Sequence, residues 1–144
     1  MAALAKLSFF LGVPGMPFEL TTPGALLFAR IFGLFTAREL DHLATEAEIA
    51  EASHFVSLDR ITDLTAVEYF EIGFREIYLF AIRRSAQRFS RVVKSAIVVQ
   101  EPVQFGIARI YESLNENPQI HLRIVQSVPE AIEWFADLKD APNE

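Results

Sequence analysis

Residues 91–100 read RVVKSAIVVQ, and Glu101 and Pro102 follow directly. The second half of this stretch, residues 95–99, is uncharged and rich in Val and Ile, which is typical of a strand buried on both faces of a sheet. Pro102 fits the first turn of a helix, which we expect to run to about Leu114. A buried strand followed at once by a helix indicates an α/β fold with parallel strands.

The sequence after this helix repeats the same alternation. Residues 115–118 (NENP) end the helix, and residues 119–126 (QIHLRIVQ) alternate between polar and apolar side chains, as a less buried strand does. Ser127 then predicts a helix N-cap, with Pro129 in the first turn and Glu130 completing a capping box. The chain therefore ends on a strand and a helix.

The sequence before residue 54 predicts a hairpin and a helix. Two short strands, at residues 17–21 and 25–32, flank a Thr-Pro-Gly turn. Thr36 is a predicted N-cap and Glu39 the other half of a capping box, so that a helix runs from there to about Glu51.

The middle of the chain predicts a short strand followed by a long helix. Residues 54–58 (HFVSL) form an apolar run that Asp59 closes. A loop containing Asp63 and Thr65 then leads into a helix at roughly residues 66–89. This helix would carry two apolar stripes, of which one covers the sheet; for the other we favour a subunit interface or the N-terminal segment over a ligand cavity.

The predicted element order is β-β-α-β-α-β-α-β-α. It indicates one α/β domain with a mixed, mostly parallel sheet of about five strands and four main helices. We assign residues 16–139 to this domain and residues 140–144 to a polar tail. Residues 1–15 are interpreted as a hydrophobic extension packed on the domain or on a neighbouring subunit, although Met16 would serve equally well as a start.

Composition excludes several classes of function. The 144 residues include no Cys, so thiol nucleophiles, thiolate metal sites and disulfides are absent. The net charge of −6 argues against general nucleic-acid binding. No motif of a hydrolase, nucleotide-binding or metal-dependent enzyme is present, so we expect no catalytic residues, no metal and no cofactor. Residues 1–15 are too short for a membrane span and lack a clear signal-peptide pattern, which favours the cytoplasm.

Two stretches resemble the SpoIIAA-like (STAS-like) family of small α/β proteins. They are residues 105–112 (FGIARIYE) and residues 128–135 (VPEAIEWF), and Asp59 matches the family's Asp after the third strand. The resemblance covers nearly the whole chain after residue 15. It implies a sheet of four or five strands with helices and a regulatory or binding role.

The anti-sigma factor antagonists of this superfamily suggest a phosphorylation site. In them a Ser at the start of the second helix is phosphorylated, which switches partner binding. The matching loop here has no Asp-Ser pair, and Thr65 is the hydroxyl closest to the predicted helix start, with Thr62 as a second candidate. The alternative interpretation is that Thr65 caps the helix and Glu68 completes the capping box.

Several arginines are candidate contacts for an anion or a partner. Arg83 and Arg84 belong to a basic stretch that either attracts an acidic partner or faces the negative end of the helix dipole. Arg109 either binds an anion or pairs with Glu112 one helical turn later. Asp59 and Asp63 are loop acids that could act as paired carboxylates, although Asp is also common in such loops.

Two functions follow as expectations. The first is a non-enzymatic regulatory or protein-interaction domain that forms a homodimer and binds another protein. The second is a carrier or sensor of a hydrophobic small molecule, because the chain also looks like α/β folds of the CRAL-TRIO type, which hold lipids. The 13 Phe residues fit a ligand pocket, an oligomer interface or simply a Phe-packed core.

Overall fold

The computed structural model describes residues 18–137, which form one five-stranded sheet and four helices in the predicted order. The predicted extension at residues 1–15 and the tail at residues 140–144 lie outside the described residues. The strands are β1 (Phe18–Thr21), β2 (Leu26–Thr36), β3 (Asp59–Glu71), β4 (Val93–Val98) and β5 (Ile120–Val125). The helices are α1 (Ala37–Ala52), α2 (Phe74–Ser85), α3 (Pro102–Leu114) and α4 (Val128–Ala136).

The sheet is mixed and mostly parallel, as predicted. Its strands lie in the order β1-β2-β3-β4-β5, with β1 antiparallel to β2 and all other neighbours parallel. The hairpin between β1 and β2 turns at Gly24, whose φ of +63° is a conformation that residues with a Cβ rarely adopt. The central strand is β3, whose first half is buried or half-buried on both faces, whereas Tyr69 near its end is exposed.

The helices divide between the two faces of the sheet. Helices α1 and α3 pack with the larger core, and α4 packs on the other face over a smaller core around Trp134. The larger core holds buried side chains from strands β1 to β4 and from α1, among them Leu20, Leu27, Ile31, Leu43 and Ala47. Each face therefore has its own apolar contact layer.

Three predicted helix starts are confirmed by local geometry. The Thr36 Oγ1 accepts a hydrogen bond from the backbone N–H of Glu39 at 3.5 Å. The Ser127 Oγ does the same for Glu130 at 3.1 Å. Pro102 opens α3 as expected. Side-chain caps and proline act over three or four residues, which is why sequence alone locates them.

The prediction for the middle of the chain is wrong. Residues 54–58 form no strand, and residues 59–71 form the longest strand of the sheet where we predicted a loop and a long helix. Helix α2 begins only after Gly73 and ends at Ser85. The register between β2 and β3 shifts near Asp63, so the strand contains an irregularity that breaks the two-residue alternation. That irregularity made the apolar spacing of β3 look helical.

Candidate functional site

Thr65 lies in the middle of β3, so it caps no helix and the predicted capping box with Glu68 is wrong. Its hydroxyl donates to Asp63 Oδ1 at 2.7 Å, and its backbone N–H donates to the same oxygen at 3.0 Å. Asp63 is buried and its second oxygen lies 3.7 Å from Arg30 Nε. These bonds stabilise the irregular segment of the strand. The Thr65 hydroxyl therefore binds a carboxylate within a strand and does not lie at a helix N-terminus.

Asp59 opens β3, whereas the sequence placed it at the end of a preceding strand. Its Oδ1 accepts the backbone N–H of Lys94 at 2.8 Å and pairs with Arg91 Nη1 at 3.1 Å. Asp59 and Asp63 thus bind different groups: one fixes the start of β4, the other holds the Thr65 segment. The structure assigns each carboxylate a local structural contact.

Arg83 is bound to helix α1. Its guanidinium makes two hydrogen bonds to Glu48, at 2.6 and 2.8 Å, and a third to Asp41 at 3.2 Å. The hydrogen bond to Glu48 raises the pKa of Arg83 above its ordinary value. A fork-shaped pair of this kind leaves little of the guanidinium for another anion.

Arg84 is buried, and its charge is also compensated. Its Nη1 lies 3.0 Å from Glu51 Oε1 and 2.7 Å from Gln87 Oε1, and its guanidinium sits over the ring of Phe89. Arg83 and Arg84 both lie in the last turn of α2, where the helix dipole also favours a positive charge. Within residues 18–137, the charges of both side chains are paired with carboxylates of α1.

Arg109 is the most exposed of the three candidate arginines. Its side chain is 63% exposed and pairs with Glu112 at 3.0 Å, as the spacing predicted. The guanidinium also lies over the ring of Phe105. An exposed pair one turn apart is weak, and no buried polar group accompanies it.

A cavity that the sequence did not locate lies between the sheet and helices α1 to α3, and the candidate residues Thr62 and Arg84 are among those that line it. We call it the Arg60 cavity; its volume is about 70 Å³. Most of its wall is apolar, and its polar lining residues come from two strands and two helices, namely Arg60, Thr62, Arg84, Ser95 and Tyr111. The half-buried Phe80 and Tyr111, whose rings lie 5.3 Å apart, line its outer part. The cavity is partly open to solvent on that side.

Arg60 lies on the central strand, between Leu27 of β2 and Ser95 of β4, and is only 3% exposed. Its Nε has no hydrogen-bond partner among the described residues. None of the ion pairs formed between described residues includes it. It is a positive charge in an apolar wall without a counter-ion from that part of the chain.

Burial, together with the neighbouring charge of Arg84, lowers the pKa of Arg60 to about 10. The carboxylates of Glu51 and Glu48 act in the opposite direction, but each is already paired with another arginine. Because a pKa of about 10 lies well above neutral pH, Arg60 stays charged under ordinary conditions. The cavity wall therefore holds a cation that no described carboxylate pairs with.

Sequence reasoning missed Arg60 because it placed residue 60 in a solvated loop. The signal was present in the alternation of residues 60 to 64, since Arg60, Thr62 and Leu64 line one face at two-residue spacing and Ile61 joins the core on the other. Reading these residues as a strand would have put an arginine on the face that packs against the helices.

These features define an α/β protein with a mixed five-stranded sheet and an apolar cavity beside its central strand. No family model matches the chain, and no curated protein matches it. A solved structure of an uncharacterised protein of the DUF3478 family from Shewanella loihica PV-4, described as having a SpoIIAA-like fold, is similar to it with a TM-score of 0.56. The two share 13% identity, over 81% of this chain and 90% of that one.

This likeness confirms the SpoIIAA-like fold that the sequence resemblance implied. At 13% identity it concerns the fold, which does not by itself assign a function. Within residues 18–137, no helix has the length and apolarity needed to cross a bilayer. The same residues contain no cluster of three or more His, Asp or Glu side chains able to hold a metal ion.

Proposed function

We propose that this protein is a non-enzymatic binding module that takes a hydrophobic small molecule into the Arg60 cavity. The observation that carries the proposal is the cavity itself, an apolar recess beside the central strand with a few polar groups converging on it. Small-molecule sites commonly combine a mostly apolar wall with a small number of polar side chains that fix orientation.

The dimensions of the cavity limit the ligand. Its volume of about 70 Å³ is smaller than the engineered apolar cavities known to hold benzene. A ligand must therefore be small, or it must extend outward past the half-buried rings of Phe80 and Tyr111. Phe80 lies on α2 and Tyr111 on α3, so the two rings belong to different helices.

Benzene tests the cavity without involving charge. We expect the amide signals of Ser95 and Ile97, which line the cavity on β4, to shift in an NMR titration of the full chain with benzene. A variant that fills the space, Ala108→Leu, should lose these shifts, because Ala108 is buried in the cavity wall. Val103→Leu on the exposed side of the same helix is the matched control. Absence of any shift at cavity residues, with benzene and with the acids and alcohols described below, contradicts the proposal.

A second candidate function is the regulatory or protein-interaction role expected from the family resemblance. It is favoured by an exposed apolar stripe on α2, formed by Phe74, Tyr78 and Ile82, with Leu79 beside it. Phe74 and Tyr78 stack with ring centroids 6.0 Å apart. Large apolar side chains that recur at four-residue spacing on a solvent-facing helix are typical of a contact surface. We propose that a second copy of the chain covers this stripe.

The oligomeric state tests this second candidate. Light scattering of the full chain should give a dimer, and Ile82→Glu should convert it to a monomer because it places a charge in the stripe. Val103→Glu on α3, which is also exposed, is the control and should leave the dimer intact. A wild-type monomer at high concentration contradicts self-association.

A further inference from the structure

We infer that the ligand of the Arg60 cavity is a small hydrophobic carboxylate whose anionic group binds the guanidinium of Arg60. This inference rests on the proposed function and adds the chemical class of the ligand. The observation behind it is the unpartnered Nε of a side chain that is 97% buried and lines the cavity. A buried charge without a partner is unfavourable, and an incoming anion removes that penalty.

The nearest carboxylates of the chain do not provide the counter-ion. Glu51 pairs with Arg84 at 3.0 Å, and Glu48 pairs with Arg83 at 2.6 Å. Moving either of them to Arg60 would leave another arginine without its partner. The two arginines in the cavity wall therefore differ: Arg84 has a carboxylate and Arg60 has none among the described residues.

The surroundings of Arg60 favour a carboxylate over a more highly charged anion. Of the two guanidinium groups among the described residues of the wall, that of Arg60 has no carboxylate partner, and it offers parallel N–H donors that match the two oxygens of a carboxylate. The other polar groups that line the cavity, apart from Arg84, are the neutral hydroxyls of Thr62, Ser95 and Tyr111. A phosphate dianion would need more positive charge than this wall supplies.

The rest of the wall favours a hydrocarbon body on that carboxylate. Phe70 and Ile72 at the end of β3, and Ile97 on β4, line the cavity with apolar surface. A strongly hydrated anion such as acetate would gain little from these contacts, because apolar surface contributes in proportion to the area buried. A short aliphatic or aromatic acid uses both the charge and the apolar wall.

The test compares acids with neutral molecules of the same shape. Hexanoate, octanoate and benzoate are titrated into the full chain beside 1-hexanol, 1-octanol and benzyl alcohol, with NMR shifts at cavity residues as the readout. We expect at least one acid to bind about tenfold more tightly than its alcohol. The Nε–Hε signal of Arg60 should move when the acid binds, because that N–H gains an acceptor.

Two substitutions separate the charge from the cavity. Arg60→Met should lose at least about tenfold in affinity for the acid and retain the alcohol. Arg60→Lys keeps the charge without the fork of donors and should bind the acid with intermediate affinity. Arg109→Met removes one exposed arginine and is the control for net charge, so acid binding should not change.

Each outcome decides between the two proposals. If acid and alcohol bind equally and Arg60→Met changes neither, the inference is overturned and the hydrophobic binding function stands. If acid binding is lost equally in Arg60→Met and Arg109→Met, the acid is recognised by overall charge and the inference is also overturned. If no acid, alcohol or benzene shifts the cavity residues, both proposals fail.

Discussion

Replacing Arg60 by Met should stabilise the protein in the absence of ligand. Most substitutions of buried residues destabilise, so the expected sign is unusual. The reason is that Arg60 is 3% exposed, carries a charge and has an Nε without a partner among the described residues. Met has a similar length and flexibility but no charge to desolvate.

The magnitude follows from the cost of keeping the charge buried. The pKa of Arg60 falls from its ordinary value to about 10. A shift of one pKa unit corresponds to about 1.4 kcal/mol, so this fall corresponds to a cost of roughly 3 kcal/mol for keeping the charged form buried. Some contacts of the arginine stem are lost in the variant, and we expect a net gain of about 1–3 kcal/mol in the free energy of unfolding.

The gain should also be independent of pH over the usual range. Because the folded-state pKa is lower than the unfolded one, the penalty is fully present below about pH 10 and disappears only as the pH rises toward the unfolded value. Between about pH 5 and pH 9, the difference between Arg60→Met and wild type should therefore stay constant.

The assay is urea unfolding of the full chain, followed by circular dichroism and by fluorescence of Trp134, which is buried in the core under α4. Arg84→Met is the matched control, because it removes an arginine from the same cavity wall but leaves Glu51 buried without its partner. The control should lose about 3–5 kcal/mol. If Arg60→Met destabilises the protein as Arg84→Met does, the charge of Arg60 is compensated in the folded protein and the reasoning about an unpaired cation is refuted.

Three further predictions concern ligand binding and local structure. Hexanoate affinity should fall as the pH drops through about 4 to 5, because the carboxyl group of the ligand takes up a proton there while Arg60 keeps its charge. Unchanged binding below that range would contradict a charge pair between the two groups. Asp63→Ala should cost about 1–3 kcal/mol in urea unfolding and more than Thr65→Ala, because two donors lose their acceptor; a larger loss for Thr65→Ala would contradict this account of the Asp63 hydrogen bonds. Ser127→Ala should cost about 1 kcal/mol, measured in the same way, because the N–H of Glu130 loses its acceptor, and an unchanged midpoint would show that water replaces the cap.

The part of the fold that the sequence predicts correctly depends on short-range signals. A Pro-Gly turn, a run of uncharged β-branched residues in β4 and caps at Thr36 and Ser127 each act within a few residues of themselves. Strand β3 depends on longer-range contacts. Its irregular segment after Asp63 is stabilised by pairing with β2, and the apolar residues that follow this segment recur at a spacing that also fits a helix.

The candidate site was hidden by the same error. Once residues 59–71 were assigned to a loop and a helix, Arg60 became one more surface charge and Phe70 part of a helical stripe. In the structure both line the cavity. The Phe content fitted a ligand pocket, an oligomer interface or a Phe-packed core, and it could not locate a pocket. Phe55, Phe74 and Phe105 are exposed, whereas Phe35, Phe70 and Phe80 line the cavity.

The two arginines in the cavity wall make the strongest case that the Arg60 charge serves binding. Arg84 meets a carboxylate and an amide oxygen, so its burial is explained by the fold itself. Arg60 lies on the central strand, where an apolar side chain would pack without any electrostatic penalty, and no described carboxylate pairs with it. Stability therefore gives no reason for an arginine at this position. A ligand that supplies a negative charge explains the arginine. Such a ligand gains affinity because it removes the free-energy cost of burying the Arg60 charge without a counter-ion.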